Sequence, residues 1–170
     1  MRRLTEVVIR PAAAGDLPDL RRAVVELQEY ERRLHPTRLP GEQIADAYVA
    51  WLQQQAAEKS GAVLVAECDE SFAGFAVGWI VEHDHIAVSE DANRFGYVSD
   101  LCVMPSYRGR RIAHRLLDVM EHRLGCSGIT RLFLWTLAAN TSARASYESA
   151  GFTPYEIIYE KLVGKDATDT

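Results

Sequence analysis

Tyr97-Val-Ser-Asp-Leu-Cys-Val-Met-Pro-Ser-Tyr-Arg-Gly-Arg-Arg-Ile-Ala-His-Arg-Leu-Leu117 is the stretch on which the fold turns. Its first half is apolar and ends at Pro105, a turn with Gly109 follows, and helical spacing then begins. We read a strand over 95–104 and a helix over 108–124. Ile112, Leu116, Val119, Met120 and Leu124 form the apolar stripe of that helix, and Gly125 its C-cap. The next segment, 130–137, is very apolar and reads as a central strand. Strand, helix, strand in succession implies one parallel pair.

Outward from this unit the elements alternate in type. Residues 5–10 read as a strand closed by Pro11. Asp16 offers an N-cap and Pro18 fits the first helical turn. Leu17, Leu20, Val24, Leu27 and Leu34 then recur at helical spacing, and this helix stops before Pro36. A second helix spans 41–57. Strands over 62–68 and 72–82, joined by Asp69-Glu70-Ser71, form a hairpin. Residues 83–94 are a polar loop. A short helix over 140–150 ends at Gly151, and 153–163 forms a last strand, or two if Pro154 interrupts pairing. The expected class is α/β (α+β): a mixed, mostly antiparallel sheet of six to seven strands, with one splayed parallel pair and helices on both faces. Residues 1–163 make one domain, and 164–170 a frayed tail.

Composition narrows the function. The 170 residues include 48% apolar and 25% charged types, as in a globular domain. Nothing approaches the roughly 20 apolar residues of a membrane span, and the start lacks a signal-peptide apolar run. The charge of 19 Lys and Arg against 24 Asp and Glu, net −5, disfavours nucleic acid as a partner. Cys68, Cys102 and Cys126 are odd in number and widely spaced, which suits a reducing cytoplasm better than a disulfide or zinc framework. His83-Asp84-His85 lacks a local third ligand, so no metal is expected.

Against that acidic background, Arg108, Arg110, Arg111, His114 and Arg115 crowd one turn and one helix start. Free N–H groups and the positive helix end make such a terminus an anion site. The same arginines also suit a solvated face paired with surface carboxylates. Further on, Asn140, Ala143, Tyr147 and Gly151 lie three or four apart and line one helical face. Small residues there admit a close neighbour, with one tyrosine hydroxyl projecting. A capped helix with a half-buried packing tyrosine accounts for the same pattern.

Together these two features resemble the GNAT superfamily of acetyl-CoA-dependent N-acetyltransferases. The family's phosphate-loop pattern, Gln/Arg-x-x-Gly-x-Gly/Ala, reads here Arg108-Gly109-Arg110-Arg111-Ile112-Ala113, with Arg111 in place of the middle glycine. The downstream pattern, Asn-x-x-Ala-x-x-x-Tyr-x-x-x-Gly-Phe, is matched in full by Asn140, Ala143, Tyr147, Gly151 and Phe152. Ile9-Arg-Pro-Ala12 and Asp16-Leu-Pro-Asp-Leu20 also resemble the family's first strand and helix.

The resemblance implies transfer of acetyl from acetyl-CoA to a primary amine of a small molecule in a ternary complex. Pantetheine would pair with Leu101, Cys102 and Val103 between the splayed strands, and a backbone N–H there would hold the thioester oxyanion. The pyrophosphate would lie on N–H groups from about Arg110 to Arg115, with Arg111, Ile112, Ala113 and His114 among them. Asn140 would contact pantetheine or the strand end, and Arg108, Gly109 and Ala143 would complete the cofactor site. Tyr147 would protonate the departing thiolate. A base on the phosphate strand is typical of the family, but Tyr97 and Ser99 occupy its positions. Asp100 has the wrong parity to share a face with Ser99 unless a bulge re-aims it. Deprotonation through water, helped by Ser99, Tyr97 or Glu31, is the expected route.

Tyr30, Trp51, His83 and Tyr97 are the expected acceptor contacts. The first helix and phosphate strand are similar to polyamine and thialysine acetyltransferases over a short span, which suits a cationic amine. Peptide or protein amines, another acyl donor, a covalent route through Cys102, a non-catalytic acetyl-CoA sensor and an arginine-rich nucleic-acid helix are the competing readings. The alternating segment 155–162 implies an edge able to pair two copies, hence a homodimer.

Overall fold

The computed structural model describes residues 6–163. Nine regular elements follow in order: β1 (Val7–Pro11), α1 (Leu17–Leu34), α2 (Gly41–Glu58), β2 (Ala62–Cys68), β3 (Ser71–Glu82), β4 (Arg94–Val103), α3 (Ile112–Gly125), β5 (Leu132–Leu134) and α4 (Thr141–Ser149). Short 3₁₀ turns precede α1 and β4 and follow β4. The proposed tail at 164–170 and Thr5 of the first expected strand lie outside the described residues.

The five strands are ordered β1-β2-β3-β4-β5. Every neighbouring pair is antiparallel except β4–β5, which is parallel. Buried on both faces, the central β3 reads as a near-continuous apolar run, and every residue from Ala73 to Ile80 is buried. One core fills the face under α3, with Ile112, Leu116, Leu117, Met120 and Leu124 against Leu64, Ala76 and Val98. The other lies under α1 and α2, where Leu20, Val24, Val49 and Leu52 pack on Val65, Phe75 and Trp79. Each of these large side chains contributes about 1.5–3 kcal/mol by leaving water.

Several expectations change. The strand expected over 130–137 pairs only at Leu132–Leu134, and it lies at the sheet edge rather than the centre. No strand forms over 153–163, so the sheet has five strands rather than six or seven. Its alternating pattern describes a chain able to pair, but no ladder partner meets it. Tyr155, Ile157, Ile158, Tyr159, Leu162 and Val163 are exposed. The segment is pinned at two points. Tyr155 packs on Phe133 with the Arg131 guanidinium over both rings, and Glu160 sits 3.1 Å from His35. Asp16 does not cap α1. Its carboxylate accepts from Arg10 and from the Ala13 N–H at 2.7 Å. Gly125 ends α3 as its last residue, while Gly128, at φ +79°, carries the turn beyond.

Candidate active site

The parallel pairing of β4 with β5 covers only Gly96–Val98 against Leu132–Leu134. Beyond Val98 the two strands have no further paired residues, leaving the β5-facing side of Leu101, Cys102 and Val103 outside that ladder. This is the expected splay. Its floor is closed by the turn into α3. The helix begins at Ile112, four residues later than the spacing implied, because Gly109 (φ +76°) and Arg111 (φ +61°, ψ +20°) both adopt left-handed backbone. No side chain caps α3. The first N–H groups of Ile112, Ala113 and His114 therefore have no acceptor on their own helix and face outward with the positive dipole end. A left-handed residue next to the helix start makes a concave set of N–H groups suited to phosphate. Arg111 is exposed, in the position where glycine is favoured.

The other basic residues divide into free and tethered. Arg108 donates from Nε to the Val103 carbonyl at 3.1 Å, reaches Glu26 at 3.3 Å and lies over the Tyr30 ring. It thus clamps the end of β4 to α1. Arg110 stacks on Tyr107 and donates to the Cys68 sulfur. His114 Nε2 is 2.8 Å from Ser149 Oγ and joins α3 to α4. Arg115 lies exposed on the first turn of α3. Asn140 caps α4 by accepting from the Ala143 N–H at 3.1 Å, and Tyr30 donates to the same oxygen at 3.4 Å. Tyr30 is therefore a tether between α1 and α4, flanked by Arg33 and Arg108.

Tyr147 projects from α4 beside Phe152. Burial, with the nearby charges of Glu31 and Asp100 and the Cys102 thiol, pushes its hydroxyl up to about 12, so it holds its proton at neutral pH. Burial likewise raises the Cys102 thiol to about 12. A thiolate there is scarce at neutral pH, and the covalent route loses its nucleophile.

The largest departure from the sequence reading is at Ser99 and Asp100. In the ladder with β3, Val77 faces Asp100 and Gly78 faces Val98, leaving Ser99 as an extra residue in a bulge. Alternation resets there. Tyr97 before the bulge and Cys102 after it both join the core under α1 and α2. Asp100 therefore points to the same side as Tyr97, where its carboxylate accepts from Tyr48 of α2 at 3.2 Å and from Ser99 Oγ at 2.6 Å. It is 7% exposed. Burial raises its carboxyl to about 6, opposed by the two hydroxyl donors. Glu31 is half-buried and paired with Arg38 at 2.9 Å.

Aromatic rings surround this pair. Trp51 stacks on Tyr48 and meets Trp79 edge-on, Trp79 meets Tyr97, and Tyr97 meets Trp135 at 4.3 Å between centroids. Trp51 and Trp135 remain substantially exposed and form the open rim. His83 is elsewhere. It packs edge-on against Phe95 at the start of β4, five positions or roughly 16 Å along the strand from Asp100. The structure thus brings Tyr147, Ser99, Glu31, Tyr97 and Trp51 around the splay and leaves His83 out. Sequence reasoning missed Trp79, Trp135 and Arg38. For Asp100 a signal was present: Ser-Asp is the one polar pair in an otherwise apolar strand.

A family model described as the acetyltransferase (GNAT) family matches residues 24–152. The chain belongs to the GNAT acetyltransferases. An uncharacterised N-acetyltransferase of Bacillus subtilis is 29% identical over 85 residues, 50% of this chain and 53% of that protein. N-alpha-acetyltransferase 30 of Schizosaccharomyces pombe is 38% identical over 77 residues, covering 42% and 49% of the two chains. The chain thus matches about half the length of these curated GNAT relatives. An aminoglycoside N-acetyltransferase solved in complex with CoA shares the fold at TM-score 0.67 and 18% identity, covering 96% of this chain and 99% of that one. Among the described residues no helix is long and apolar enough to cross a membrane.

Proposed function

We propose that this GNAT chain moves an acetyl group from acetyl-CoA to a primary amine of a small molecule, by direct attack in a ternary complex. One observation carries the reading. The splay between β4 and β5, the uncapped start of α3 and the protonated Tyr147 converge, with the Ser99–Asp100 pair on the acceptor side.

Acetyl-CoA, when bound, supplies an activated thioester. The N–H groups of Ile112, Ala113 and His114, with the exposed guanidinium of Arg111, hold its pyrophosphate. Gly109 shapes that loop, Arg110 and Arg115 add charge, and Arg108 fixes the strand end through Val103. The open backbone of Leu101, Cys102 and Val103 receives the pantetheine, and Asn140 and Ala143 close its far side. Tyr147 donates its proton to the sulfur. Tyr97 and Trp51 bound the acceptor, whose positive charge suits both the ring faces and the carboxylates of Glu31 and Asp100. His83 has no part in this reading, and no metal is used.

A second reading is acetylation of a peptide amine, favoured by the similarity to an N-alpha-acetyltransferase. The exposed segment 153–163, together with the outer edge of β5, which is unpaired among the described residues, supports a homodimer. Its three free cysteines, two of them buried, suit a reducing cytoplasm. The test begins with calorimetric titration by acetyl-CoA, followed by thiol release with a panel of small amines and N-terminal peptides. Micromolar binding with amine-dependent release supports transfer. Binding without release from any amine favours a sensor.

A further inference from the structure

The bulge at Ser99 places a hydroxyl and a buried carboxylate in series, and this arrangement has a use. Ser99 is half-buried on the acceptor side, whereas Asp100 lies behind it and is 7% exposed. At 2.6 Å, Ser99 Oγ donates to Asp100 Oδ2. A serine hydroxyl alone is too weak a base for an ammonium, and a carboxylate sealed beneath it cannot reach a substrate. We infer that Ser99 and Asp100 form a two-step proton relay, in which Ser99 takes the proton from the acceptor ammonium while passing its own to Asp100.

This rests on the acetyl-transfer reading and deepens it. The balance is simple. The ammonium N–H bond breaks and its proton joins Ser99 Oγ. The Ser99 O–H bond breaks and that proton joins Asp100 Oδ2. An ammonium and a carboxylate become a neutral amine and a carboxylic acid, with Ser99 unchanged. The amine lone pair is then free to attack, and once the products leave the acid passes its proton out through Ser99 to solvent, which restores the carboxylate.

The groups around Asp100 decide whether it can serve. Tyr48 of α2 and Ser99 of β4 donate to it and favour the carboxylate. Glu31 of α1 opposes ionisation, and Arg38, paired with Glu31, favours it. Tyr97, Cys102 and Tyr147 line the remaining sides and hold their protons at neutral pH. Burial dominates and brings the carboxyl to about 6. It is therefore ionised at neutral pH, yet more basic than a surface aspartate.

The experiment measures kcat/KM against pH for wild type, Ser99→Ala, Asp100→Asn and Tyr48→Phe, alongside acetyl-CoA affinity by calorimetry. Wild type should lose activity on the acid side near pH 6. Ser99→Ala and Asp100→Asn should lower kcat by about a hundredfold or more with acetyl-CoA affinity within twofold. Tyr48→Phe removes a donor to the carboxylate, so its acid limb should move to higher pH while the plateau is retained. A structural role lowers the plateau and leaves the limb in place. An unmoved limb in Tyr48→Phe, or full turnover in Asp100→Asn, overturns the relay and leaves acetyl transfer intact. A folded wild type that neither binds acetyl-CoA nor releases thiol overturns both.

Discussion

Arg111 tests how the phosphate loop is built. It holds φ +61° and ψ +20° immediately before α3. For a residue with a Cβ that backbone costs about 1–2 kcal/mol. Arg111→Gly removes the cost but adds unfolded-state freedom worth about 0.5–1 kcal/mol. The net is about 0.5–1 kcal/mol in favour of glycine. In a domain of this size that raises Tm by about 1–4 °C. Arg111→Ala keeps the strain and removes the charge, so it separates the two effects: its Tm should stay near that of wild type. Binding should respond the other way. A guanidinium exposed beside free helix N–H groups strengthens phosphate binding through charge-assisted hydrogen bonds worth about 1.5–3 kcal/mol. Both variants should therefore bind acetyl-CoA about tenfold or more weakly, with the difference shrinking as salt is raised. Scanning calorimetry and isothermal titration check both halves. If Arg111→Gly melts no higher than Arg111→Ala, the strain argument fails. If both bind acetyl-CoA as wild type does, the side chain points away from the phosphates.

Tyr147→Phe should lower kcat by about a hundredfold or more and leave acetyl-CoA affinity within twofold, as stopped-assay thiol release and calorimetry would show. Asp100→Asn should also change stability in a pH-dependent way. The folded carboxyl is raised from 3.8 to about 6, so its contribution is most favourable below pH 4 and is lost as pH rises through 6. The cost at neutral pH is up to about 3 kcal/mol, and the variant should gain in Tm over wild type at pH 8 but not at pH 4. Gly109→Ala, forced to φ +76°, should lower Tm by a few degrees and weaken acetyl-CoA binding together, since the helix start moves with the turn. Light scattering should give twice the 19.0 kDa chain mass for wild type, and the chain mass once Ile157 and Ile158 are changed to Arg.

Local signals carried much of the fold. Pro105, Gly109 and the stripe from Ile112 to Leu124 mark a strand, a turn and a helix without reference to the rest of the chain, and Asn140 and Gly151 bracket α4 in the same way. What stayed hidden depended on partners. The segments 130–137 and 153–163 carry strand patterns, yet a strand is a relation between two stretches of backbone. Leu132–Leu134 found three residues to pair with, and 153–163 found none. Aromatic contacts between α2, β3, β4 and the chain after β5 were equally out of reach, since nothing near Trp51 in sequence names Trp79 or Trp135.

The site follows the same division, with one instructive exception. The phosphate loop and Tyr147 are contiguous motifs and could be placed from spacing. Asp100 could not, because strict alternation turns it away from Tyr97 and Ser99. A single extra residue opposite Val77 and Gly78 reverses that conclusion. The cost of burying a carboxylate is offset only in part, by Tyr48, an α2 residue 52 positions away, and by Ser99. A polar pair interrupting an apolar strand is hard to tolerate unless the strand bulges to give both side chains the same polar surroundings. Ser99-Asp100 is thus better read as the mark of a bulge than as an exception to alternation, and that reading places the Asp100 carboxylate on the side of Tyr97 and Tyr48.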